Sequence, residues 1–564
     1  MTVYLDKQPV RLLDSSLIAS GGEGSAYKVG KDVYKIYHKP LDLTFLDKMR
    51  ELSALVSLPN VAVPERPVFD KEGRLVGYVM RQITDPLALP LLFTTSYLKR
   101  NGITIDSLTR LSSRMADTVA KIHDAKILVV DMNEFNLLVK NVGTLEPFFI
   151  DVDSYQTPSF PATAIMPSIQ DFATKDFNEL TDWYSFGVLA FQLFVGIHPY
   201  KGGVTGFADD DIAARCKAHV SVLNPKTTYP RAAVRPFDSI PRGYLAWFQA
   251  MFEGGERLPP PADPGALSVR APDATIVSAQ LNILKEWASS SEILDLRRIA
   301  GRTILSTRGG VQMDGSTMAK GIEVGTGHVF PLMGDRGMIA VFIRDGYVWA
   351  KLDTNGGELR SDVPAEKLFF VDDRLYSIYR GVVQEVGATT LGGNTQLITY
   401  TPMNVLKNAS KVMTGVVYMD IFGRPNFLIP YGFKLSTIFH SADTDGYKII
   451  DAFYMNGTLI VVGSNNGRYD RFTFKFINGS GLALVDHDVE RDVLLEEVNA
   501  TVLSNGMLVE VVAGDLRLSA RSSVQKKIVK DVGLPAGASL RNDGAKVYYI
   551  LGHEAFSITL ASHR

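Results

Sequence analysis

The chain changes character near residue 300, and this change constrains its fold more than any other feature. Before that point strand-like and helix-like segments follow one another, whereas beyond it short alternating strands recur between tight-turn pairs. Such pairs favour type I′ hairpin turns, in which both central residues need a positive φ. The pairs are Asp345-Gly346, Asp372-Asp373, Asn456-Gly457, Asn505-Gly506 and Asp543-Gly544. A chain of 564 residues is too long for one core, so we predict at least two domains.

The turns of the second half predict its architecture. Together with a turn at Gly423 they recur at a mean interval of about 40 residues, near the length of a four-stranded propeller blade. The individual intervals are uneven, and no signature such as a WD dipeptide repeats. We therefore predict an all-β domain over residues 299–564, a six- or seven-bladed β-propeller, with a pair of β-sandwiches as the alternative.

The first half predicts an α+β domain of two lobes over residues 1–265. Residues 1–85 contain mostly short strands and one amphipathic helix, and residues 86–265 contain mostly helices. One of these helices covers residues 106–125, with Asp106 placed as its N-cap. The Pro-rich run LPPPADPGAL marks the domain boundary. We predict a linker over residues 266–298, with a bridging helix near residues 276–289.

Composition and charge exclude several classes of protein. The chain is 46% hydrophobic and 21% charged, as in ordinary globular proteins, and its formal charge of -2 gives no general attraction to nucleic acid or acidic membranes. The single cysteine, Cys216, permits no intramolecular disulfide and suits a reducing compartment. No apolar run reaches about 18 residues, and MTVYLDKQPV lacks the pattern of a secretory signal. We expect a cytoplasmic protein without nucleic-acid or membrane partners.

Three polar residues in the first half point to a particular chemistry. The segment VVDMNEFNLLV contains Asp131 and Asn136, and FFIDVDSY places Asp151 at the end of an apolar strand-like run. An acid that accepts a hydroxyl proton, with an Asn and an Asp that hold magnesium, is what phosphoryl transfer from ATP requires. None of the nine histidines lies in an HExxH pattern or a Cys/His cluster, so we do not expect a zinc site.

These motifs resemble those of the protein kinase superfamily over roughly residues 10–262. The resemblance is greater to a bacterial and phage-type branch of Ser/Thr kinase-like proteins, which carries D-x-N-x-x-N and I-D-x-D-S-[FY]-Q segments. Here these segments read DMNEFN and IDVDSYQ. The resemblance implies a bilobal kinase-like fold in which Asp131 is the catalytic aspartate and Asn136 and Asp151 hold Mg2+.

The N-terminal region carries two further elements of the resemblance. The loop IASGGEGSAYKV matches the glycine-rich hairpin that covers ATP phosphates, where Gly21, Gly22 and Gly24 would let the backbone approach the nucleotide. A plain hairpin turn explains this loop about as well, and Ala19 replaces the first family glycine. Lys35, in VYKIY, follows at the distance of the lysine that pairs with the α- and β-phosphates.

The resemblance also implies a carboxylate partner for Lys35 on the next helix. Glu51 lies sixteen residues downstream, and Asp47 lies one turn earlier on the same helix face. We prefer Glu51 as the partner, while a solvated helix carboxylate remains open for both.

Further positions carry structural roles or depart from the family pattern. The resemblance assigns Asp182, in TDWYSFGVLAFQLFVGIHPY, to hold the backbone of the catalytic loop, and His123 to pack in the core. Asp153 replaces the glycine after Asp151, where it would be an extra metal ligand or a turn cap. Ser168 stands in place of a family glutamate, so Arg257 either loses its ion pair or has another partner.

Three functional hypotheses follow. The leading one is an ATP- and Mg2+-dependent protein kinase acting on Ser/Thr hydroxyls, whose C-terminal propeller binds substrate or partner proteins. A pseudokinase scaffold is the alternative, which Ala19 and Asp153 favour, and a small-molecule kinase is the third. The predicted site residues are Asp131 and Lys35 for catalysis, Gly21, Gly22, Gly24, Lys35 and Glu51 for the nucleotide, and Asn136 and Asp151 for the metal.

Overall fold

The computed structural model divides the chain into two compact units. The first comprises Met1–Ala274, Ser464–Asp470 and Arg491–Glu497, and the second comprises Thr275–Gly463, Arg471–Glu490 and Val498–Arg564. The residues that the structure describes are 1–208, 211–262, 264–265, 281–299, 302–308, 310–313, 316–320, 328–334, 337–352, 357–391, 394–431, 435–478, 481–530, 532–535 and 537–560. Across these residues no helix is both long and apolar enough to cross a membrane.

The first unit begins with an antiparallel sheet of seven strands. They are β1 (Thr2–Leu5), β2 (Gln8–Arg11), β3 (Leu17–Ser20), β4 (Gly24–Val29), β5 (Asp32–Tyr37), β6 (Arg66–Phe69) and β7 (Leu75–Arg81). Their order in the sheet is β2-β1-β6-β7-β5-β4-β3, so β5 lies between β4 and β7. Side chains alternate between the faces of a strand, and one face buries an apolar cluster that includes Val3, Ile36 and Val79. Helix α1 (Phe45–Leu52) follows β5 in the chain.

Over the described residues after β7, the regular structure of the first unit is mainly helical. Its helices are α2 (Thr95–Arg100), α3 (Ile105–Asp124), α4 (Glu179–Val195), α5 (Ile212–Ala218) and α6 (Arg242–Phe252). A small sheet of β8 (Leu87–Ala88), β9 (Leu137–Asn141) and β10 (Leu145–Phe149) has the order β10-β9-β8. Short 3-10 helices cover Asp14–Ser16, Ser53–Leu55, Leu89–Phe93, Val152–Ser154, Pro167–Ile169 and Phe237–Ser239.

Two of these helices have clear start signals. Helix α4 begins with a capping box between Asn178 and Thr181 and ends at Gly196 with φ of 82°, and it is buried on all faces from Thr181 to Val195. Helix α3 is capped by Thr104, whose side-chain oxygen accepts the Ser107 N–H at 3.2 Å. The predicted N-cap, Asp106, instead lies within the first turn of α3, where its charge favours the helix N-terminus.

The second unit is built from strands, as the turn pattern predicts. Its described strands form seven sheets of four strands each. The sheets are β11 (Leu281–Ala288) with β36 (Ser539–Asn542), β37 (Val547–Leu551) and β38 (Glu554–Leu560); β12 (Ile293–Ile299), β13 (Arg302–Thr307), β14 (Gly310–Met313) and β15 (Ser316–Lys320); β16 (Phe330–Gly334), β17 (Gly337–Arg344), β18 (Tyr347–Lys351) and β19 (Glu358–Pro364); β20 (Lys367–Val371), β21 (Arg374–Tyr379), β22 (Val382–Leu391) and β23 (Asn394–Asn404); β24 (Ser410–Met413), β25 (Val416–Ile421), β26 (Arg424–Pro430) and β27 (Ser436–Phe439); β28 (Lys448–Met455), β29 (Thr458–Asn465), β30 (Arg468–Asn478) and β31 (Leu482–Glu490); and β32 (Asn499–Val502), β33 (Leu508–Val512), β34 (Asp515–Ser519) and β35 (Lys526–Val529). One 3-10 helix, Ala442–Thr444, precedes β28.

Some of the predicted turn pairs adopt the backbone conformation of a type I′ turn. Both residues have positive φ in Asp345-Gly346 (52° and 75°) and in Asn456-Gly457 (44° and 78°), as a type I′ turn requires. Phe422 also has a positive φ of 53°, ahead of Gly423. At the other predicted pairs only one residue has a positive φ: Asp372, Gly506 and Gly544.

The predicted bridging helix is wrong over the residues that can be compared. Leu281–Ala288 is strand β11, paired in antiparallel register with β38, while residues 276–280 lie outside the described part of the chain. Strand β12 also begins within the predicted linker. A short run of mixed polarity suits either a helix or a strand, and a partner strand near the far end of the chain decides between them.

Candidate active site

A buried carboxylate holds the loop that carries Asp131. Asp182, in the first turn of α4, accepts the backbone N–H groups of Val129 at 2.7 Å and Val130 at 2.8 Å. His123 Nε2 lies 2.9 Å from the same carboxylate. Asp182 thus holds the backbone of this loop, as the resemblance implies. Val130 has φ of 59°, a left-handed conformation that β-branched residues rarely adopt. The Asp182 hydrogen bonds therefore fix a strained backbone next to Asp131.

The Asp131 carboxylate lies in a network of hydrogen bonds. Its Oδ2 accepts the side-chain amide of Asn133 at 2.9 Å and, at a longer 3.4 Å, that of Asn136. Its Oδ1 accepts the backbone N–H of Met166 at 2.8 Å. An acceptor hydroxyl that approaches Oδ1 would share it with Met166 or displace the Met166 N–H.

Asn136 and Asp151 are brought together by the backbone. The N–H of Ile150 donates to the carbonyl of Asn136 at 3.0 Å. Asp151 is the next residue after Ile150, so this hydrogen bond places its backbone near Asn136. Asp151 has φ of 61°, a left-handed conformation that Asp tolerates better than most residues. Its side chain is 46% exposed, and Asn136 is buried.

The oxygens of these two side chains suit magnesium. The amide nitrogen of Asn136 donates to the Asp131 carbonyl at 3.0 Å, which leaves the amide oxygen as the ligand atom. Magnesium prefers oxygen ligands and is commonly bound by one or two carboxylates together with substrate phosphates. Within the described ranges no group of three or more His, Cys, Asp or Glu side chains could hold a metal. A metal at Asp151 would therefore need further ligands beyond these two side chains.

Lys35 forms the second cluster of the site. Its ammonium group lies 2.5 Å from Asp151 Oδ1 and 2.9 Å from both carboxylate oxygens of Asp153. Tyr78, the register partner of Lys35 on β7, donates its hydroxyl to Asp153 Oδ1 at 2.6 Å. The hydroxyl of Tyr37, two residues beyond Lys35 on β5, donates to the other oxygen of Asp153.

Burial and charge act in opposite directions on this cluster. Burial lowers the pKa of the Lys35 amine, but the carboxylates of Asp153 and Asp151 outweigh it and hold this pKa above its usual range. Burial would raise the pKa of Asp153, but the Lys35 charge and the two tyrosine hydroxyls hold that pKa below its usual range. Burial, and then the nearby Asp153 charge, raise the pKa of Tyr37 and Tyr78. The cluster is therefore an ion pair with neutral phenols as donors.

The predicted pair of Lys35 and Glu51 does not form in the structure. The carboxylate of Glu51 accepts the backbone N–H of Ser159 at 3.2 Å, and the alternative partner, Asp47, pairs with Arg50 on the same helix. Asp153 takes the place of both helix acids at Lys35. A glycine at position 153, as in the family pattern, would leave this contact empty.

The glycine-rich loop is a hairpin between β3 and β4. The N–H of Gly21 donates to the carbonyl of Gly24 at 2.9 Å. A Cβ at Gly24 would lie 2.5 Å from the carbonyl oxygen of Ile36, so close sheet packing explains this glycine without a ligand. A Cβ at Gly22 would meet nothing within 4 Å. Gly21 and Gly22 are exposed, and their backbone leaves room for a ligand.

Arg257 keeps an ion pair with a partner other than position 168, which is one of the two alternatives that the sequence leaves open. Its Nε lies 2.5 Å and its Nη2 2.8 Å from the two carboxylate oxygens of Asp171, which is buried. The guanidinium carbon also lies 4.7 Å from the centre of the Tyr184 ring. Asp171, three residues after Ser168, thus provides the carboxylate that Ser168 lacks.

Residues from later in the chain complete the first unit. Tyr469 donates its hydroxyl to Glu134 Oε1 at 3.0 Å, and Glu134, in the segment DMNEFN, is only 2% exposed. Lys201 pairs with Asp492 at 2.6 Å. A Cβ at Gly467 would lie 2.0 Å from Ser168 Oγ, so the turn at Gly467 packs tightly on the segment after Met166.

Sequence reasoning identified most of the polar groups but missed the two tyrosines. Tyr37 was accessible from the sequence, because residues two apart on a strand share a face with each other. Tyr78 was not, because its place opposite Lys35 depends on the register of β5 with β7.

Comparison with known proteins adds little detail. No protein-family model matches the chain. One similar solved structure is the kinase PK-1 of the Cydia pomonella granulovirus, with 13% sequence identity and a TM-score of 0.32. The match covers 43% of this chain and 87% of the viral one. A likeness this weak concerns the fold at most, so the chemistry follows from the residues of the site.

Proposed function

We propose that this protein is an ATP- and magnesium-dependent kinase that phosphorylates Ser/Thr hydroxyls of proteins. The main support is the ion-paired cluster that joins Lys35 to Asp151, beside an Asn136 that is tied to the same segment by the Ile150 hydrogen bond. Asp131 stands five residues before Asn136 on a loop whose backbone Asp182 fixes. Phosphoryl transfer needs positioned groups of this kind more than it needs covalent chemistry from the protein.

Each residue has a defined role in this proposal. Asp131 accepts or orients the proton of the acceptor hydroxyl as its oxygen bonds to the γ-phosphorus and the bond to the β–γ bridging oxygen breaks, releasing ADP. Lys35 binds phosphate oxygens, and the backbone of Gly21 and Gly22 covers them. The amide oxygen of Asn136 and the carboxylate of Asp151 would hold Mg2+, which supplies positive charge against the phosphates.

We further propose that the second unit is a seven-bladed β-propeller that binds the protein substrate or a partner. Seven four-stranded sheets support this proposal, and so does the sheet that joins β11 to β36, β37 and β38. In a propeller, a blade built from both ends of the domain closes the ring. The exposed loops between such strands commonly carry binding function. A single buried cysteine, Cys216, is in keeping with a cytoplasmic location.

One observation favours the pseudokinase alternative. The Met166 N–H donates to Asp131 Oδ1, and Asn133 donates to Oδ2, so both oxygens that could receive an acceptor hydroxyl already have donors. A scaffold that never transfers phosphate could keep these bonds permanently, whereas an enzyme has to exchange or share one of them. A small-molecule kinase would keep the same nucleotide groups and differ only in the acceptor.

Metal-dependent nucleotide binding tests the proposed function. We expect ATP to raise the melting temperature of the full chain only with Mg2+ present, because a ligand stabilises the state that binds it. Asp151→Asn should remove most of this shift, while Asp124→Asn, a matched change at an exposed aspartate, should retain it. An equal shift in the Asp151→Asn protein would contradict the metal assignment.

Transfer itself is measured in the same preparations with γ-labelled ATP. Label in Ser/Thr residues of a protein acceptor supports the protein kinase, and label confined to a small molecule supports the third hypothesis. Metal-dependent ATP binding without transfer to protein, small molecule or water supports the pseudokinase.

A further inference from the structure

Lys35 can bind phosphates productively only if its flexible side chain is held in place. In protein kinases an ion pair to a carboxylate fixes this lysine, and the helix that carries the carboxylate is a point of control. Here both oxygens of Asp153 lie 2.9 Å from the Lys35 ammonium. Both contacts are charge-assisted hydrogen bonds, which are stronger than hydrogen bonds between neutral groups.

The Asp153 carboxylate is itself held rigidly. It receives one hydroxyl from Tyr78 on β7 and one from Tyr37 on β5, so each oxygen has two donors. The 3-10 helix Val152–Ser154 fixes its backbone, and its side chain is 5% exposed. Because each of its oxygens already accepts two hydrogen bonds, Asp153 is poorly placed as a metal ligand. Asp151, in contrast, is half-exposed.

The acids of α1 are engaged elsewhere. Glu51 accepts the Ser159 N–H, and Asp47 pairs with Arg50 within the helix. The remaining charged side chain of α1 is Lys48, a cation that offers Lys35 no carboxylate. Burial lowers the pKa of the Lys48 amine, with Asp153 as the opposing charge.

We propose that Asp153, and not an acid of α1, is the positioning residue that holds Lys35 for phosphate binding. This inference rests on the proposed kinase function and assigns a residue that the function alone does not identify. The anchor of Lys35 then lies two residues from the metal-binding Asp151, on the same short segment. The Lys35 ion pair therefore needs no carboxylate from α1, although Phe45 of this helix packs against Tyr37 and Tyr78, the hydroxyl donors to Asp153.

Nucleotide affinity tests the inference with two matched amide substitutions. We expect Asp153→Asn to weaken binding of Mg2+·ATP by about tenfold or more, because the amide neither balances the Lys35 charge nor offers two acceptor oxygens. Glu51→Gln should change the affinity by less than about twofold. Tyr78→Phe, which removes one donor and no charge, should have an intermediate effect if Asp153 acts through its fixed position. Calorimetry on the full chain measures all three.

The reactivity of the Lys35 amine gives a readout that does not depend on catalysis. An amine-reactive reagent modifies lysine amines, and mass spectrometry follows the rate at which Lys35 is labelled at one fixed pH. Asp153→Asn removes one of the two carboxylates that contact Lys35, so the amine is held less firmly and should label faster than in wild type. Glu51→Gln should label at the wild-type rate. Lys201, a buried lysine of the same unit, reports any general unfolding because it would then label too.

The possible outcomes separate the inference from the proposed function. Wild-type ATP affinity and Lys35 reactivity in Asp153→Asn would overturn the inference, as would a Glu51→Gln protein that behaves like Asp153→Asn. If wild-type protein does not bind Mg2+·ATP but its Lys35 reactivity depends on Asp153, the proposed function fails and the anchor stands. Weakened binding together with labelling of Lys201 overturns a specific positioning role, because the fold itself is then lost.

Discussion

At the scale of single residues, buried polar side chains hold the site because each has a complementary partner. Asp182 receives two backbone N–H groups, and Asp153 receives an ammonium group and two hydroxyls. Burying a polar or charged side chain is unfavourable unless it forms hydrogen bonds or ion pairs with such partners. His198 is a third case, and its protonation links the stability of the first unit to pH.

We predict that the stability of the first unit decreases as pH falls below about 6.5 because of His198. Nε2 of this buried ring donates to the carbonyl of Ser168 at 2.6 Å, and Nδ1 accepts the N–H of Tyr200 at 3.1 Å, so the ring is neutral. Burial lowers the pKa of His198 to about 3. The unfolded chain, with an ordinary histidine pKa of about 6.5, binds the proton first, so stability is lost between these two values.

Urea unfolding at several pH values measures this effect against a matched variant. The His198 contribution should reach about 1.4 kcal/mol of unfolding free energy per pH unit between these values. His198→Gln keeps an N–H donor for Ser168 but does not titrate, so it should show a shallower decline. Parallel declines in the two proteins would show that His198 is not the responsible group.

At the scale of elements, the ion pair between Arg257 and Asp171 connects the segment after α6 to the segment before α4. We predict that Arg257→Met lowers the unfolding free energy of the first unit by about 3 kcal/mol, because it leaves the buried Asp171 charge without its partner. Combining it with Asp171→Leu should cost less than the sum of the two single changes. Denaturant unfolding of the four proteins measures the coupling, and strictly additive costs would contradict the pair.

Local sequence patterns predict some elements of this fold and not others. Helix α3 and the strand-rich second unit were predicted, because helical periodicity and turn pairs act over a few neighbouring positions, although the cap of α3 is Thr104 and not Asp106. Strand β11 was not, because its partner β38 lies more than 260 residues away in the chain. The anchor of Lys35 was missed for a similar reason: spacing along α1 pointed to Glu51, while the fold brings Asp153 to Lys35 from a different segment.

At the scale of the whole molecule, the first unit is not a continuous piece of chain. Ser464–Asp470 and Arg491–Glu497 belong to it, and they provide Tyr469 to Glu134 and Asp492 to Lys201. A fragment that ends at residue 274 would therefore lose one partner of the buried Glu134 and the ion-pair partner of the buried Lys201, together with the segments that carry them. A boundary that is placed from the Pro-rich run alone does not reveal this dependence.

We predict that the fragment 1–274 unfolds at a lower temperature than the first unit does within the full chain, because it lacks two packed segments with their hydrogen bond to Glu134 and ion pair to Lys201. Calorimetry compares the two transitions. Tyr469→Phe in the full chain removes only the hydroxyl and should cost about 1 kcal/mol, a smaller loss than the truncation. If the fragment melts at the same temperature as the intact first unit, the later segments do not contribute to its stability.

We propose that Asp131 is the catalytic base of a phosphoryl transfer from ATP. Transfer from γ-labelled ATP should be measured in the full chain with Mg2+, in wild type, Asp131→Asn and the exposed control Asp124→Asn. We predict that Asp131→Asn slows transfer by about 10²- to 10⁴-fold, the usual scale for a positioned general base, while ATP binding stays near the wild-type value. The control should transfer at the wild-type rate. Equal rates in wild type and Asp131→Asn, or wild-type protein that binds ATP and transfers nothing, would contradict the account.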